Sequence, residues 1–225
     1  MNTVNFAEML YTLTTWAIPL LLAVILHEMA HGIAALWLGD RTAKANGRLS
    51  LNPTNHIDPI GSVVVPIGLL IFKSPILFGW AKPVPVDYRN LKHPKRDMGL
   101  VAAAGPIANL LLAIVFVLLA RFIDFTLPRD SATYIWVMDN LKNGILLSLA
   151  LAAFNLIPIL PLDGGRILAS VLPRELSFRY METERYGFFV LLGAVFVLPL
   201  LGFDLIGLFL NVIYPVLAGI VSVFM

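Results

Sequence analysis

A long apolar segment, interrupted once by ionisable residues, constrains the fold more than any other feature. Residues 9–26 carry no charged side chain, the sequence HEMAH follows at residues 27–31, and apolar residues then resume. This pattern predicts a helix that crosses a bilayer, where ionisable groups are costly and by default mark a functional site. Positions i and i+4 of a helix share one face, so His27 and His31 can bind one metal ion together. Glu28 lies beside that face, where a carboxylate can accept a proton from a metal-bound water.

Composition places the chain among integral membrane proteins. Of its 225 residues, 59% are hydrophobic and 13% are charged, whereas a soluble domain is about 25% charged. Further uncharged stretches, each long enough to cross a hydrocarbon core of about 30 Å, are residues 98–120, 143–162, 186–203 and 205–225. The shorter stretch 59–72 predicts a re-entrant or interfacial segment. The predicted fold class is all-α, a polytopic membrane helix bundle of five to six transmembrane helices with a short re-entrant or extended segment between the first two main helices.

The basic residues predict the orientation. Thirteen of the sixteen Lys and Arg residues lie in segments 39–59, 73–97 and 166–185. The positive-inside tendency places these segments in the cytoplasm, with the N-terminus outside and the C-terminus inside. Five crossings satisfy this arrangement if residues 59–72 enter and leave on one side, and a sixth crossing is the alternative. The net charge of +2 requires no nucleic-acid partner, because basic segments next to spans face the anionic lipid of the bilayer.

A catalytic zinc site usually has three protein ligands and an open position for water, so a third ligand is expected. The chain contains no cysteine, which restricts the choice to His, Asp and Glu. Asp163 is the outstanding candidate, because Pro158 and Pro161 break the helix before it. Irregular backbone at membrane depth is tolerated where it lines a polar cavity. The alternative is an ordinary proline-terminated helix end with an interfacial aspartate.

Taken together, these motifs resemble the site-2 protease family of intramembrane zinc metalloproteases, peptidase family M50, in its compact form without PDZ or CBS domains. HEMAH is similar to the family's HExxH, and Asn155 with Asp163-Gly164 is similar to its second motif. Gly105-Pro106-Ile107-Ala108-Asn109 resembles a Gly-Pro-x-x-Asn helix of the family, and residues 52–61 and 79–86 resemble loop motifs of its compact subgroup. The resemblance covers about residues 20–170.

The resemblance implies zinc bound by His27, His31 and Asp163, with Glu28 as general base. It implies that Asn155 binds the substrate or the developing oxyanion. Residues 1–225 would form a single integral membrane protease domain, with a catalytic core at about 8–170 and additional helices at 186–225. The implied substrates are single-span membrane proteins cut within the bilayer, and a prokaryotic plasma membrane is the expected location. Oligomeric state is left open.

Other residues allow two interpretations. Asn109 is expected to support helix packing, with a secondary possibility that it orients a ligand. His56 is expected to be a capping or surface residue, with a second role near the metal as the alternative. The alternating residues Val84 and Val86 predict a short extended segment, whose edge is suited to pairing with an unwound substrate.

Two rival functions remain at this point. A divalent-metal or proton transporter could use His27, Glu28, His31 and Asp163 as a translocation site. Such transporters commonly carry paired broken helices from an internal repeat, and no second half of this sequence resembles HExxH. A catalytically inactive relative that acts as a binding scaffold is the other rival, and the intact Glu28 argues against it.

Overall fold

The computed structural model describes residues 6–65, 68 and 79–224, and these ranges contain helices and loops but no β-strand. The helices are α1 (Phe6–Leu38), α2 (Thr42–Ala45), α3 (Pro94–Thr126), α4 (Ala132–Asn155), α5 (Asp163–Val171), α6 (Arg174–Glu182), α7 (Glu184–Leu192), α8 (Leu198–Leu200) and α9 (Leu205–Ser222). A π-helical segment, Gly193–Val197, joins α7 to α8. The all-α prediction is confirmed.

Among the described residues, four helices are long and apolar enough to cross a membrane: α1, α3, α4 and α9. A fifth span arises if α6 and residues Glu184–Leu200, which meet at a bend of 60°, are counted as one broken crossing. The structure is therefore consistent with the predicted polytopic helical bundle. Of the predicted re-entrant segment 59–72, Pro59–Val64 forms a π-helical segment, whereas residues 66, 67 and 69–72 lie outside the described residues.

The centre of the bundle is formed by α1, α3 and α4. Ala23 of α1 packs with Leu112 and Phe116 of α3 and with Leu141 of α4. Small residues allow this close approach, since a Cβ added at Gly144 of α4 would lie 2.5 Å from the Phe116 ring. The same α3 helix contacts α9 through a second cluster of Ala113, Val117, Leu149 and Val221. Helix α3 thus packs against α1, α4 and α9.

One predicted span has different bounds. The uncharged stretch 143–162 was expected to cross the membrane, but α4 begins at Ala132, where the Ser131 side chain caps the Tyr134 N–H, and ends at Asn155. The start was predicted too late because the prediction rested on an uncharged stretch, whereas Asp139 and Lys142 lie in the first half of α4. The charged groups of these two residues lie 3.9 Å apart. The early end follows from Pro158 and Pro161, which cannot donate a helical hydrogen bond.

The chain between α1 and α3 is fixed to the end of α1. Gly39 ends α1 at a φ of +118°, and Asp40, fully buried, accepts hydrogen bonds from Thr42, from the Asp87 N–H and from the Asn90 amide. Burial alone would raise the pKa of the Asp40 carboxyl, but these hydrogen bonds outweigh it and lower the pKa. The buried ion therefore holds residues 87–90 against α1.

An extended segment, residues 79–87, runs beside α1 from HEMAH toward Asp40. Its Val84 is buried, and a Cβ added at Gly32 would lie 2.9 Å from a Val84 methyl group. Gly32 directly follows His31 in α1, so the absence of a side chain there lets the segment approach the histidine pair. The extended segment predicted from Val84 and Val86 is present, although it forms no ladder with another described strand.

Candidate metal centre

The two histidines of α1 face the bundle interior. The Nε2 atoms of His27 and His31 lie 3.1 Å apart, and their rings meet edge to face with centroids 4.7 Å apart. One helical turn separates the residues, so the geometry follows directly from their i, i+4 spacing. Both side chains are largely buried, with 9% and 12% of the side chain exposed.

Asp163 completes the cluster from the start of α5. Its Oδ2 lies 3.2 Å from the His27 Nε2 and 3.4 Å from the His31 Nε2. The expected alternative, an interfacial aspartate at a helix end, is thereby excluded, because the carboxylate points to the two imidazoles. Residues 156–162, which include Pro158 and Pro161, thus connect the end of α4 to a position beside α1.

The turn depends on two glycines that follow the aspartate. A Cβ added at Gly164 would lie 2.2 Å from the Leu156 carbonyl oxygen, and one at Gly165 would lie 2.6 Å from the Leu160 nitrogen. Any side chain at either position would therefore push α5 away from the turn that precedes it. This close backbone packing holds Asp163 against α1 rather than at the bundle surface.

The three donor atoms fit a tetrahedral divalent cation. Zinc bonds of about 2.0–2.1 Å imply tetrahedral ligand separations of about 3.3 Å, and the observed separations are 3.1, 3.2 and 3.4 Å. Within the described part of the chain, the buried Asp163 Oδ2 accepts no hydrogen bond, as expected of an oxygen reserved for a metal. A His₂Asp set with a fourth position left over is typical of a catalytic zinc centre.

Glu28 is bound to the extended segment. Its Oε2 accepts a hydrogen bond of 2.7 Å from the Val84 N–H. As the neighbour of His27 in α1, the carboxylate lies beside the metal-binding face, and the contact places residues 79–87 next to the centre. The structure thus brings together Glu28 and the segment that the sequence suggested for substrate pairing.

Helix α3 covers the other side of the histidines. The Val101 carbonyl oxygen lies 2.8 Å from the His31 Nδ1, and the Asn109 side-chain amide lies 3.1 Å from the His27 Nδ1. Between them, a Cβ added at Gly105 would lie 2.5 Å from the His31 ring and 2.6 Å from the His27 ring. Of the two interpretations of Asn109, the contact with His27 supports the one in which it orients a ligand.

Asn155 and His56 lie outside this contact set. Asn155 is the last residue of α4, and its amide donates a 3.0 Å hydrogen bond to the Leu151 carbonyl; its role toward substrate stays a prediction. His56 is buried, its Nε2 lies 2.8 Å from the Ser50 carbonyl oxygen, and its own carbonyl accepts from the Lys82 N–H. It therefore joins two loops, which favours a structural role.

Sequence reasoning missed a second polar cluster one turn beyond Asp163. The Arg166 guanidinium donates to Glu184 at 2.7 Å and to the Tyr88 hydroxyl, and it lies over the Tyr88 ring. Burial raises the pKa of the Tyr88 hydroxyl, although the Arg166 charge acts in the opposite direction. The cluster ties α5 to α7 and to the loop before α3. No local sequence pattern predicts this cluster, because its members come from three distant parts of the chain.

Comparisons with known proteins agree with the metal centre seen in the structure. The sequence model of peptidase family M50 matches residues 125–199. YwhC of Bacillus subtilis carries the provisional name of a zinc metalloprotease and is 38% identical to this chain over 184 residues. The match covers 81% of this chain and 80% of YwhC. Zinc metalloprotease MJ0392 of Methanocaldococcus jannaschii is 25% identical over a match that covers 72% of this chain. The same match covers 37% of the length of MJ0392. No solved structure gives a significant match.

Fold and site together define an integral membrane protein built from apolar helices around a buried His₂Asp metal centre. The chain belongs to peptidase family M50, and it is a zinc metalloprotease. The resemblance drawn from HEMAH and from the Asn155–Asp163 motif is confirmed, and this finding favours a protease over a transporter.

Proposed function

We propose that this zinc metalloprotease is an intramembrane endopeptidase that hydrolyses peptide bonds in the transmembrane segments of single-span membrane proteins. The observation that carries the proposal is the position of the donor set. Two donors lie within α1, a helix apolar and long enough to span a bilayer, and the third is brought to them by a broken helix. A centre built in this way acts on chains that share the membrane, and a prokaryotic plasma membrane is the proposed location.

The proposed roles follow from the chemistry of each side chain. Zinc held at this site would lower the pKa of a bound water to about 7 and so supply a nucleophile. Glu28 would accept a proton from the attacking water and later pass a proton to the leaving amine. The Asn155 amide donates to the developing oxyanion. His27, His31 and Asp163 would hold the metal.

The extended segment gives the substrate a place to bind. A helical peptide bond is inaccessible to hydrolysis because its backbone groups are already paired, so the substrate must unwind. Residues 79–87 are extended and lie beside Glu28 through the Val84 N–H. An edge of this kind can pair with an unwound peptide by β-strand addition. The ligand side chains themselves are largely buried, with 9–13% of each exposed.

Glu28→Gln tests the proposal. The purified full chain would be incubated in detergent or liposomes with candidate single-span membrane proteins, and both cleavage and bound zinc would be measured. We expect Glu28→Gln to reduce cleavage by about 10²–10⁴-fold while zinc stays bound, because the metal donors are unchanged. Glu8→Gln, an exposed change near the start of the same helix, is the matched control and should cleave like the wild type.

Two outcomes would count against the proposal. Wild-type rates in Glu28→Gln would reject the general-base role of this carboxylate. Metal flux across liposomes without cleavage of any membrane protein would instead support the transporter that shares the same residues.

A further inference from the structure

Asn109 is a buried polar residue that the reaction does not use directly. It lies in the middle of α3, is fully buried, and has its side-chain nitrogen 3.1 Å from the His27 Nδ1. Its Oδ1 is buried too, and among the described residues no donor reaches that oxygen. A buried amide oxygen without a donor is costly, so this arrangement calls for an explanation.

The position of the proton on the His27 imidazole supplies this explanation. Its Nε2 points toward Asp163 and the His31 Nε2, which makes that nitrogen the metal ligand. A ligand nitrogen must offer its lone pair, so the proton of the neutral imidazole resides on Nδ1. The Nδ1–H is then a donor and requires an acceptor within reach, which an amide nitrogen cannot provide.

Rotation of the amide gives the His27 Nδ1–H an acceptor. The oxygen and nitrogen of an asparagine side chain are nearly equal in size, and exchanging them leaves the packing unchanged. With the amide turned by half a revolution, Oδ1 occupies the position 3.1 Å from the His27 Nδ1. The oxygen then accepts from the imidazole, and the amide nitrogen takes the buried position that the oxygen leaves.

The neighbouring histidine shows the same arrangement. The Val101 carbonyl oxygen lies 2.8 Å from the His31 Nδ1, and Val101 precedes Asn109 by about two helical turns on the same face of α3. Gly105 lies between them against both rings. One face of α3 therefore presents an acceptor to each imidazole, with a gap in the side chains that lets the rings approach.

We propose that Asn109 is a positioning residue: its Oδ1 accepts a hydrogen bond from the His27 Nδ1–H and so fixes the tautomer and ring orientation that present Nε2 to zinc. The inference rests on the donor set of the proposed function and on no property of the substrate. Groups that orient metal-bound histidines in this way typically contribute 10–100-fold to metal affinity or activity.

The test compares two replacements of similar volume with opposite chemistry. Asn109→Asp offers only acceptors to His27, whereas Asn109→Leu offers none. Zinc affinity of the purified full chain would be measured by competition with a chelator, and the absorption spectrum of the cobalt-substituted protein would report the ligand geometry. Asn140→Leu is the control, since the Asn140 amide donates to the Trp136 carbonyl on α4 rather than to a ligand.

We expect Asn109→Leu to lower zinc affinity by about 10–100-fold and to alter the cobalt spectrum. Asn109→Asp should bind at least as tightly as the wild type, and Asn140→Leu should match the wild type. A role in packing alone would make both Asn109 variants behave alike and would overturn the inference. If Asn109→Leu does not fold, Asn109→Asp decides alone, because a loss of zinc there would mean that an N–H donor is required.

The same measurements separate this inference from the proposed function. Zinc bound normally by a wild-type chain that cleaves no membrane protein would reject the proposed function and leave the comparison at Asn109 informative. Cleavage by a wild-type chain together with equal zinc affinity in Asn109→Leu would reject the role of Asn109 alone.

Discussion

At the scale of single residues, the metal centre depends on an absence of side-chain atoms at Gly105. The histidine rings fill the space where a Cβ would stand, at 2.5–2.6 Å, and real Cβ contacts are not this short. The rings cannot retreat freely, because their Nδ1 atoms are held by Val101 and Asn109 of the same helix. Even one methyl group at this position must therefore shift a ligand or the helix.

Gly105→Ala is accordingly expected to weaken zinc binding. Inserting a methyl group into a packed interior costs about 1–3 kcal/mol, and here the strain falls on the two imidazoles. We expect a clear loss of zinc affinity, measured by chelator competition, in a protein that retains its helical circular dichroism. Gly219→Ala is the matched control, because among the described residues no atom lies within 4 Å of a Cβ built there. Unchanged affinity in Gly105→Ala would show that α3 does not constrain the histidines.

Residues with a chemical signature could be predicted from the sequence, and their supports could not. His27, His31 and Asp163 stood out because ionisable groups are rare in apolar segments, and the structure brings them together. Val101 acts through a backbone carbonyl, which every residue possesses, so no sequence pattern distinguishes it. The contact of Asn109 depends on the rotation of α3 relative to α1, which the periodicity of either helix alone leaves undetermined.

At the scale of elements, the extended segment and α1 are joined through Glu28. The Val84 N–H donates to the Glu28 carboxylate, and the Val84 side chain packs near Gly32. Backbone and side chain of one residue thus make separate contacts with α1. The hydrogen bond can be removed without touching the metal ligands, and this allows the contribution of the segment to be measured by itself.

Val84→Pro removes the N–H, whereas Val84→Ala keeps it and shortens the side chain. If the hydrogen bond orients Glu28 for proton transfer, Val84→Pro should reduce cleavage at least tenfold while zinc affinity stays at the wild-type value. Val84→Ala should show a smaller loss of cleavage. The two variants would be compared by initial cleavage rates and by chelator competition on the same preparations. Equal effects in both would assign the importance of Val84 to its side chain.

Element bounds were predicted well where charge and hydropathy agree. The uncharged stretch 98–120 lies within α3, which spans Pro94–Thr126. The stretch 205–225 begins with α9, which spans Leu205–Ser222. The predicted bounds of α4 were wrong at both ends. Charged residues that pair with each other lie in its first half, and prolines end the helix earlier than predicted. The path by which α5 returns to α1 is set by backbone contacts of Gly164 and Gly165. Those contacts exist only in the folded chain.

At the scale of the whole molecule, the described parts of the basic segments meet at one end of the bundle. The Lys92 N–H donates to the Leu38 carbonyl, so the end of α1 and the beginning of α3 lie side by side. Helix α3 then carries the chain to the opposite end, where Arg129 pairs with Asp124. The structure therefore separates most of the Lys and Arg residues from the connection between α3 and α4.

The chain has no cysteine, so single cysteines report this arrangement directly. Cysteines replacing the exposed residues Lys44, Lys92 and Arg179 should react with an impermeant thiol reagent only from the cytoplasmic side of a sealed vesicle. A cysteine replacing Asp130, also exposed, should react only from the opposite side. Labelling of right-side-out and inverted vesicles would check this. Reaction of Asp130→Cys on the same side as Lys44→Cys would refute the topology.

The order in which the donors occur along the chain has a consequence for biosynthesis. Two of them lie in the first helix, but the carboxylate of Asp163 belongs to a segment made only after α1, α3 and α4. A nascent polypeptide that stops short of this residue offers two imidazoles and no third donor. During synthesis the set of three donors is therefore completed only after α1, α3 and α4 have been made.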